Sequence, residues 1–450
     1  MISSHFIEEV RSLADAVALI GAKVKLRKAG ASYVGLCPFH EDREGSFRVY
    51  GDEKRFRCYG CGEHGDLFSF LERLERKPFP AVVTDLAAAL GIVVPAEQVS
   101  AEERCARRER VRLLSGCEAA ASHWQRNLWG GEGGRARELL SSRGVSEEFA
   151  RSFRLGYALP EWHDLHWSLG KASFPAEMQY EAGLLATRGE GETLRFHDRF
   201  RGRIVFPFED RRGRVVGFGG RVIAGESPKY LGTPETPLHA KGRSLYGLSR
   251  ARETIGATGR AILVEGYFDV LVLHQAGFTS AVAAGGTTVS REQVKLLEAS
   301  GCRDLVLLFD GDEAGSKAPA RVAPELLRAT FATSVACLGE ASQSTGDPDS
   351  FVLRSGKASL EDVLAAARPL TEYLIDFAVG RVGGPLAERA AVEYRLAALR
   401  DLMPLLLSAP EGLRRRTFEK AVARRLHLDI GPLRDELRAA ERSALTGAHA

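Results

Sequence analysis

The sequence predicts a multidomain α/β fold, and three observations carry that prediction. Two short Cys/His pairs, Cys37-x2-His40 and Cys58-x2-Cys61, fall close together near the N-terminus. A basic stretch follows, from Arg195 to Arg250, with twelve Lys/Arg against five Asp/Glu around a hairpin signal. Between 260 and 340, short apolar runs then alternate with helical stretches, the pattern of βαβ units around a largely parallel sheet. At 450 residues, with 44% hydrophobic and 27% charged residues, the chain has room for several ordinary soluble domains.

The first element is the cysteine cluster. A C-x2-H pair and a C-x2-C pair place four ligands on two tight turns, one nitrogen and three sulfurs. That set suits tetrahedral Zn²⁺ with every position filled by protein, hence a structural and not a hydrolytic metal. The gap between the pairs holds two β-like runs, "SFRVY" and "RFRCY", around Gly51-Asp52, so a zinc ribbon is predicted with Cys37, His40, Cys58 and Cys61 as ligands. His64 is expected to be a surface turn residue, and Cys105, Cys117, Cys302 and Cys337 small core or surface residues. Tyr50, Arg55, Arg57 and Tyr59 offer stacking and charge to a single-stranded nucleic acid, though aromatic residues also serve the core of so small a domain.

A charged, weakly apolar stretch at 94–112 reads as a linker entering a helix. Next, "RIVFPFEDRRGRVVGFGGRVI" sets two β-rich runs on either side of Asp210-Arg211-Arg212-Gly213, a hairpin. The local excess of seven positive charges suits an anionic partner, nucleic acid or nucleotide phosphate, or else a solvated surface balanced elsewhere.

The apolar runs 261–266, 279–286, 304–312 and 333–340 are the predicted strands of the parallel sheet. In such sheets ligands sit beyond the carboxyl ends of the strands. Glu265 ends the first run, Asp310 and Asp312 end the third, and Asp347 and Asp349 follow the fourth. Asp269 lies one helical turn after Glu265. Six carboxylates gathered at one edge repel unless a cation lies between them, and hard oxygen ligands suit Mg²⁺ or Mn²⁺. From about 358 the chain turns to Leu, Ala, Arg and Glu with helical periodicity.

"VEGYFDV", "FDGDEAG" and "GDPDS" resemble the three signatures of the Toprim domain. "FRGRIVFPFEDRRGRVVGFGGR" and "SPKYLGTPETPLHAKGRSLYGL" resemble the catalytic core of bacterial DnaG-type DNA primases, and "YVGLCPFH" with "RFRCYGCGEHGD" their zinc-binding domain. The resemblance runs from residue 1 to about 360, in the family's order. It implies an enzyme, a nucleotidyltransferase, that makes RNA primers on single-stranded DNA from NTPs. In that resemblance Glu265, Asp310 and Asp312 are catalytic, and all six acids are Mg²⁺ ligands or belong to their surroundings. Arg143, Arg199, Arg201, Arg203, Arg221, Lys229 and Lys241 would hold template and triphosphate. "AAGGTT" matches the family's loop beside the metals, with Gly286 permitting close backbone approach. Gly232 departs from the family's usual Asn.

The expected organisation is a zinc ribbon over 1–93, a linker over 94–114, a basic subdomain over 115–258, a Toprim subdomain over 259–357, a helical subdomain over 358–440 and a frayed tail over 441–450. Typical members continue for well over a hundred residues into a helicase-binding domain, which puts in doubt a replicative helicase as a further partner. A monomer in the cytoplasm is expected. Glu8 and Glu9 interrupt any leader-like pattern, seven cysteines in so long a chain fit a reducing compartment, and no apolar run approaches the roughly 18–20 residues a membrane span needs. Two alternatives share the acidic sheet: a Toprim nuclease or topoisomerase-like enzyme, and a non-catalytic zinc-ribbon DNA-binding protein. The nearest approach to a P-loop, "GDEAGSKA", has the wrong spacing, which speaks against a fused helicase.

Overall fold

The computed structural model describes residues 4–75, 77–92, 101–189, 191–225, 228–286, 288–310, 313–338, 346–381 and 392–447. They form two compact units, Met1–Ala106 and Arg107–Ala450. No helix among the described residues is long and apolar enough to cross a membrane.

The first unit begins with helices α1 (Ser4–Leu13) and α2 (Ala16–Gly21). Asp15 caps α2, its Oδ1 accepting the N–H groups of Val17 and Ala18. Five strands follow, β1 (Arg27–Ala29), β2 (Ser32–Gly35), β3 (Phe47–Tyr50), β4 (Arg55–Cys58) and β5 (His64–Asp66), paired antiparallel in sequence order. Strict alternation decides their two faces. Phe47, Val49, Phe56 and Cys58 point inward, while Arg48, Arg55 and Arg57 point out. Phe39, Phe47, Phe56 and Phe70 form one aromatic core with ring centroids 5.5–6.4 Å apart. Helices α3 (Leu67–Glu75) and α4 (Phe79–Ala89) close over it. The predicted hairpin about Gly51-Asp52 is the β3–β4 pair.

The predicted linker is overturned in part. Residues 93–100 lie outside the described set, but from Ala101 the chain is already helix α5 (Ala101–Trp129). Residues 104–112 of it are exposed and held by the helix propensity of Glu and Arg. Further along, Leu113, Cys117, Ala120, Trp124 and Leu128 form a buried stripe. The expected linker entering a helix gives way to helix earlier than its charge pattern suggests, from Ala101, and the helix is anchored by its later turns.

The second unit continues with α6 (Gly134–Ser142), α7 (Glu147–Ser152), β6 (Gly156–Ala158), α8 (Asp164–Lys171), α9 (Ala176–Glu181), β7 (Leu185–Arg188), β8 (Arg195–Asp198), β9 (Arg203–Glu209), β10 (Val215–Val222) and β11 (Tyr230–Gly232). Strands β11-β10-β9-β6 make one antiparallel sheet, and β7-β8 a separate ribbon. The predicted hairpin is β9–β10, with Asp210 N–H donating to Arg214 O across the turn (2.9 Å).

Next come α10 (Leu248–Thr258), β12 (Arg260–Val264), α11 (Tyr267–Gln275), β13 (Ala281–Ala283), α12 (Arg291–Glu298), β14 (Asp304–Leu308), α13 (Glu313–Leu326), β15 (Ala332–Ala336), α14 (Pro348–Ala365) and β16 (Arg368–Pro369). The sheet order is β13-β12-β14-β15-β16, parallel except for the β16 edge. Both of its faces are buried. Ala261, Leu263, Leu305 and Leu307 join a core shared with helices α15 (Leu370–Arg381), α16 (Val392–Ser408), α17 (Leu413–Arg425) and α18 (Ile430–Gly447). Ile262, Val264, Val306 and Leu308 face the opposite way, into a core shared with Phe206, Phe208 and Tyr246. The expected tail from 441 is corrected as well, since α18 runs unbroken to Gly447.

Candidate metal centres and nucleic-acid interface

In the first unit, one ligand atom each from Cys37, His40, Cys58 and Cys61 lies within 4.8 Å of the others. Cys37 Sγ is 3.9 Å from Cys61 Sγ, and Cys58 Sγ 3.9 Å from His40 Nδ1. A tetrahedron with metal–sulfur bonds of about 2.3 Å has edges of roughly 3.8 Å, so the donor set fits Zn²⁺. The backbone prepares the sulfurs. Cys58 Sγ accepts the N–H groups of Gly60 (3.3 Å) and Cys61 (3.4 Å) and lies 3.3 Å from Ser46 Oγ. Burial alone would raise this thiol, but those hydrogen bonds outweigh it and bring it down to about 6. Cys37 goes the other way, pushed up to about 12 by burial. His64 is exposed and no member of the cluster, but it stands in β5 and not in a turn.

Sequence reasoning missed Asp42. Its Oδ2 accepts from Cys37 N–H (2.9 Å), Ser46 N–H (2.8 Å) and Ser46 Oγ (2.9 Å), while Oδ1 accepts from Glu44 and Gly45 N–H. Partial burial opposes ionisation, yet these five donors hold the carboxyl well below the usual range. Asp42 thus ties the Cys37 knuckle to β3. An Asx-turn residue just past "CPFH" was the available signal.

In the second unit, β12 and β14 are hydrogen-bonded neighbours with Leu263 opposite Leu307. Two residues beyond that pair the chains reach Glu265 and Phe309, and then Asp310, so both acids leave adjacent strand tips about 4.8 Å apart. Asp269 is buried at the third position of α11. Its two oxygens accept the N–H groups of Gly266 (2.9 Å) and Asp349 (3.2 Å), linking the starts of α11 and α14. Burial, and then the charges of Asp349 and Asp310, push this carboxyl well above its ordinary value. Asp349 is buried too, and Asp347 is the N-cap of α14. Asp312 lies outside the described residues. The described acids therefore gather beyond one end of the sheet, but they are unequal: Asp269 spends its oxygens on backbone.

Gly315 explains how α13 meets β14. A Cβ there would lie 2.1 Å from the Asp310 carbonyl oxygen, and backbone cannot yield as a side-chain tip can. Gly315→Ala is expected to destabilise the second unit by about 1–3 kcal/mol, measured by thermal unfolding. For Gly286 the expectation is refined: the nearest atom to an added Cβ is Lys241 Cε at 3.3 Å, and the positive φ of this loop belongs to Gly285 (+68°).

The expected basic residues divide sharply. Arg199 donates to Gly232 O through Nε (3.0 Å) and Nη2 (2.9 Å), and Arg203 to Pro228 O (2.9 Å). Both brace the backbone around β11, Arg203 buried and Arg199 half-buried, so these donors are committed to main-chain carbonyls. Arg143 is bound to acids, Nη1 standing 3.1 Å from Asp349 Oδ2 and 3.7 Å from Asp347 Oδ2. Lys229 and Lys241 are exposed. Arg221 is distinct. It is only 8% exposed, yet its Nε and Nη1 find no hydrogen-bond acceptor among the described residues. The guanidinium lies 4.9 Å from the Phe268 ring centroid and 5.9 Å from that of Tyr230. Burial raises the Tyr230 phenol, and the charges of Arg221, Asp269, Arg143 and Asp349 bear on it as well. Arg143, paired with Asp349, lies on the same Phe268 ring as Arg221. At Gly232 an added Cβ would meet nothing within 4 Å, so space for the family's Asn exists.

Two surfaces join charge to exposed aromatics. On the first unit, Arg57 and Arg48 approach the exposed Tyr59 ring (5.1 and 5.9 Å), and Tyr50, Arg55 and Arg57 line a cavity of about 350 Å³. On the second, Arg201 stacks 4.1 Å over Trp162, with Arg188 at 6.0 Å and the His197 ring at 5.1 Å. Trp162 is 47% exposed and Trp167 65%, unusual for a residue that prefers burial. Sequence reasoning passed over this platform, although "EWHDLHW" carries it. A further cavity of about 470 Å³ between α17 and α18 has Arg415, Glu419, Arg434 and Glu441 on its walls, already paired with one another.

Comparison with known proteins agrees with this layout. Models of the CHC2 zinc finger, the DNA primase catalytic core N-terminal domain and a Toprim-like domain match residues 2–102, 123–252 and 262–352. The chain is 38% identical to the DNA primase of Myxococcus xanthus over 425 residues, covering 94% of this chain and 67% of that protein. Against the Escherichia coli K12 DNA primase it is 35% identical, covering 90% and 68%, and against that of Synechococcus elongatus 38%, covering 82% and 54%. The Aquifex aeolicus primase structure, with zinc-binding and RNA polymerase domains, superposes with TM-score 0.59 at 31% identity over 95% of this chain and 98% of that one. A DnaG primase catalytic domain bound to single-stranded DNA gives TM-score 0.60 at 31% identity over 72% and 99%.

Proposed function

This chain belongs to the bacterial DNA primase family, and on that premise we propose that it makes short RNA primers on single-stranded DNA from ribonucleoside triphosphates, as a nucleotidyltransferase at the replication fork in the cytoplasm. One observation carries the reading most: Arg221, a buried cation whose Nε and Nη1 find no acceptor among the described residues, shares the Phe268 ring with Arg143, which is paired with carboxylates of a set that cannot all ionise without cations among them.

In this reading the 3′-hydroxyl oxygen of the primer attacks the α-phosphorus of the next NTP. A P–O bond forms, the bond to the β-phosphate oxygen breaks, pyrophosphate leaves and the hydroxyl proton passes to solvent. Glu265, Asp310 and Asp312 would hold Mg²⁺ or Mn²⁺, with Asp347 and Asp349 beside them; the hard, crowded oxygen set fits such an ion. When bound, the metal would polarise the phosphates and offset charge on the leaving group. Asp269 positions this set by tying two helix starts together. Arg221, with Lys229 and Lys241, takes the triphosphate. The Trp162–Arg201 platform and the Tyr59–Arg57 face of the zinc unit carry unpaired template bases.

Incubation of the protein with single-stranded DNA, NTPs and Mg²⁺ tests this directly. Short RNA is the expected product; nicked DNA would favour a Toprim nuclease, and binding alone a sheet without activity. Arg221→Ala should raise KM for NTP by about 10–100-fold, the worth of charge-assisted bonds to phosphate, with zinc content unchanged. A replicative helicase titrated into the same assay tests coupling to that partner, and sedimentation tests the monomer.

A further inference from the structure

Arg143 was expected to touch phosphate, but its guanidinium lies on the acids. We propose that Arg143 is a built-in counter-cation of Asp347 and Asp349, which a divalent ion must displace to reach that arm of the acid cluster. This rests on the reading of the acids as metal ligands.

The geometry is specific. Asp349 Oδ1 is taken by the backbone N–H and hydroxyl of Ser350, and its own N–H donates to Asp269, so the residue cannot turn. Its Oδ2 is the oxygen left for a cation, and Arg143 Nη1 stands 3.1 Å from it while reaching Asp347 Oδ2 at 3.7 Å. A purely structural pair would be sealed. Here Asp349 is 2% exposed, but the Arg143 side chain is 28% and Asp347 48% exposed, which leaves a path for exchange. Once displaced, the guanidinium has a place to go. It already lies 5.7 Å from the Phe268 ring centroid, the ring on which Arg221 rests at 4.9 Å. A cation bound to nucleotide could therefore trade places with it, metal onto carboxylate and arginine onto phosphate.

Mn²⁺ titration of the zinc-loaded full chain without nucleotide, followed by electron paramagnetic resonance of free Mn²⁺, tests this. Arg143→Ala and Arg143→Gln should each bind Mn²⁺ about tenfold more tightly than the parent, since a competing charge is gone. Gln can still donate a hydrogen bond to Asp349, so it guards against a helix start that loosens in the Ala variant. Unchanged or weaker binding in the Gln variant overturns the proposal, whatever the Ala variant does. Glu265→Gln in parallel separates the two levels: if it leaves Mn²⁺ binding untouched, the metal-ligand reading of the acids fails instead.

Discussion

Glu265→Gln should abolish primer synthesis, by about 10³-fold or more, while leaving the protein at least as stable as before. The two halves of that expectation come from the same geometry. Glu265 and Asp310 leave neighbouring tips of β12 and β14, with Asp269 and Asp349 packed close behind. Neutralising one member of a like-charged set relieves repulsion, so stability holds or rises. A residue retained for structure would behave in the opposite way. Asp269→Asn supplies that contrast within the same cluster, because its oxygens accept two backbone N–H groups that begin α11 and α14. Turning an acceptor into a donor at one of them should cost about 1–3 kcal/mol of stability. Priming rates and thermal midpoints measured on both variants check the pair of outcomes. Full activity in Glu265→Gln would sink the assignment of the acids to chemistry.

Cys58→Ser should bring bound zinc from one ion per chain to none and unfold the first unit, with the second unit's unfolding transition unchanged. Structural zinc sites contribute about 10–16 kcal/mol of apparent binding energy, more than a unit of this size holds in reserve. Cys58 is the sulfur most prepared for metal, drawn down to about 6, whereas Cys37 sits near 12. Zinc takes every sulfur as thiolate, so binding must expel the Cys37 proton, and apparent affinity should rise with pH through the neutral range. Zinc content by atomic absorption, the two unfolding transitions and template binding report the result. Undiminished priming without zinc would remove the zinc unit from template engagement.

Much of this was legible from residue types and spacing. The Cys/His pairs pointed to four ligands because a C-x2-C or C-x2-H turn already brings two donors within reach of one ion. The β12–β15 strands were legible because strands buried on both faces must be continuously apolar, and their acidic ends stood out against that background. The linker and the tail were misread because solvent-facing helix turns and linkers share a composition; what separates them is packing many residues away, at Trp124 for α5. The platform at Trp162 was missed for a related reason, since nothing local distinguishes an exposed tryptophan from a core one.

The metal-ligand types and the acid-bearing strand ends are readable from residue order alone, because each depends on chemistry within a few positions, whereas the bounds of α5 and α18 are not. Only the tertiary structure decided how the arginines divide their work. Arg199 and Arg203 brace backbone, Arg221 keeps Nε and Nη1 without an acceptor among the described residues, and Arg143 pairs with Asp349 across 206 positions of chain. A guanidinium looks the same in every sequence, and its role is set by which acceptors folding brings to its nitrogens.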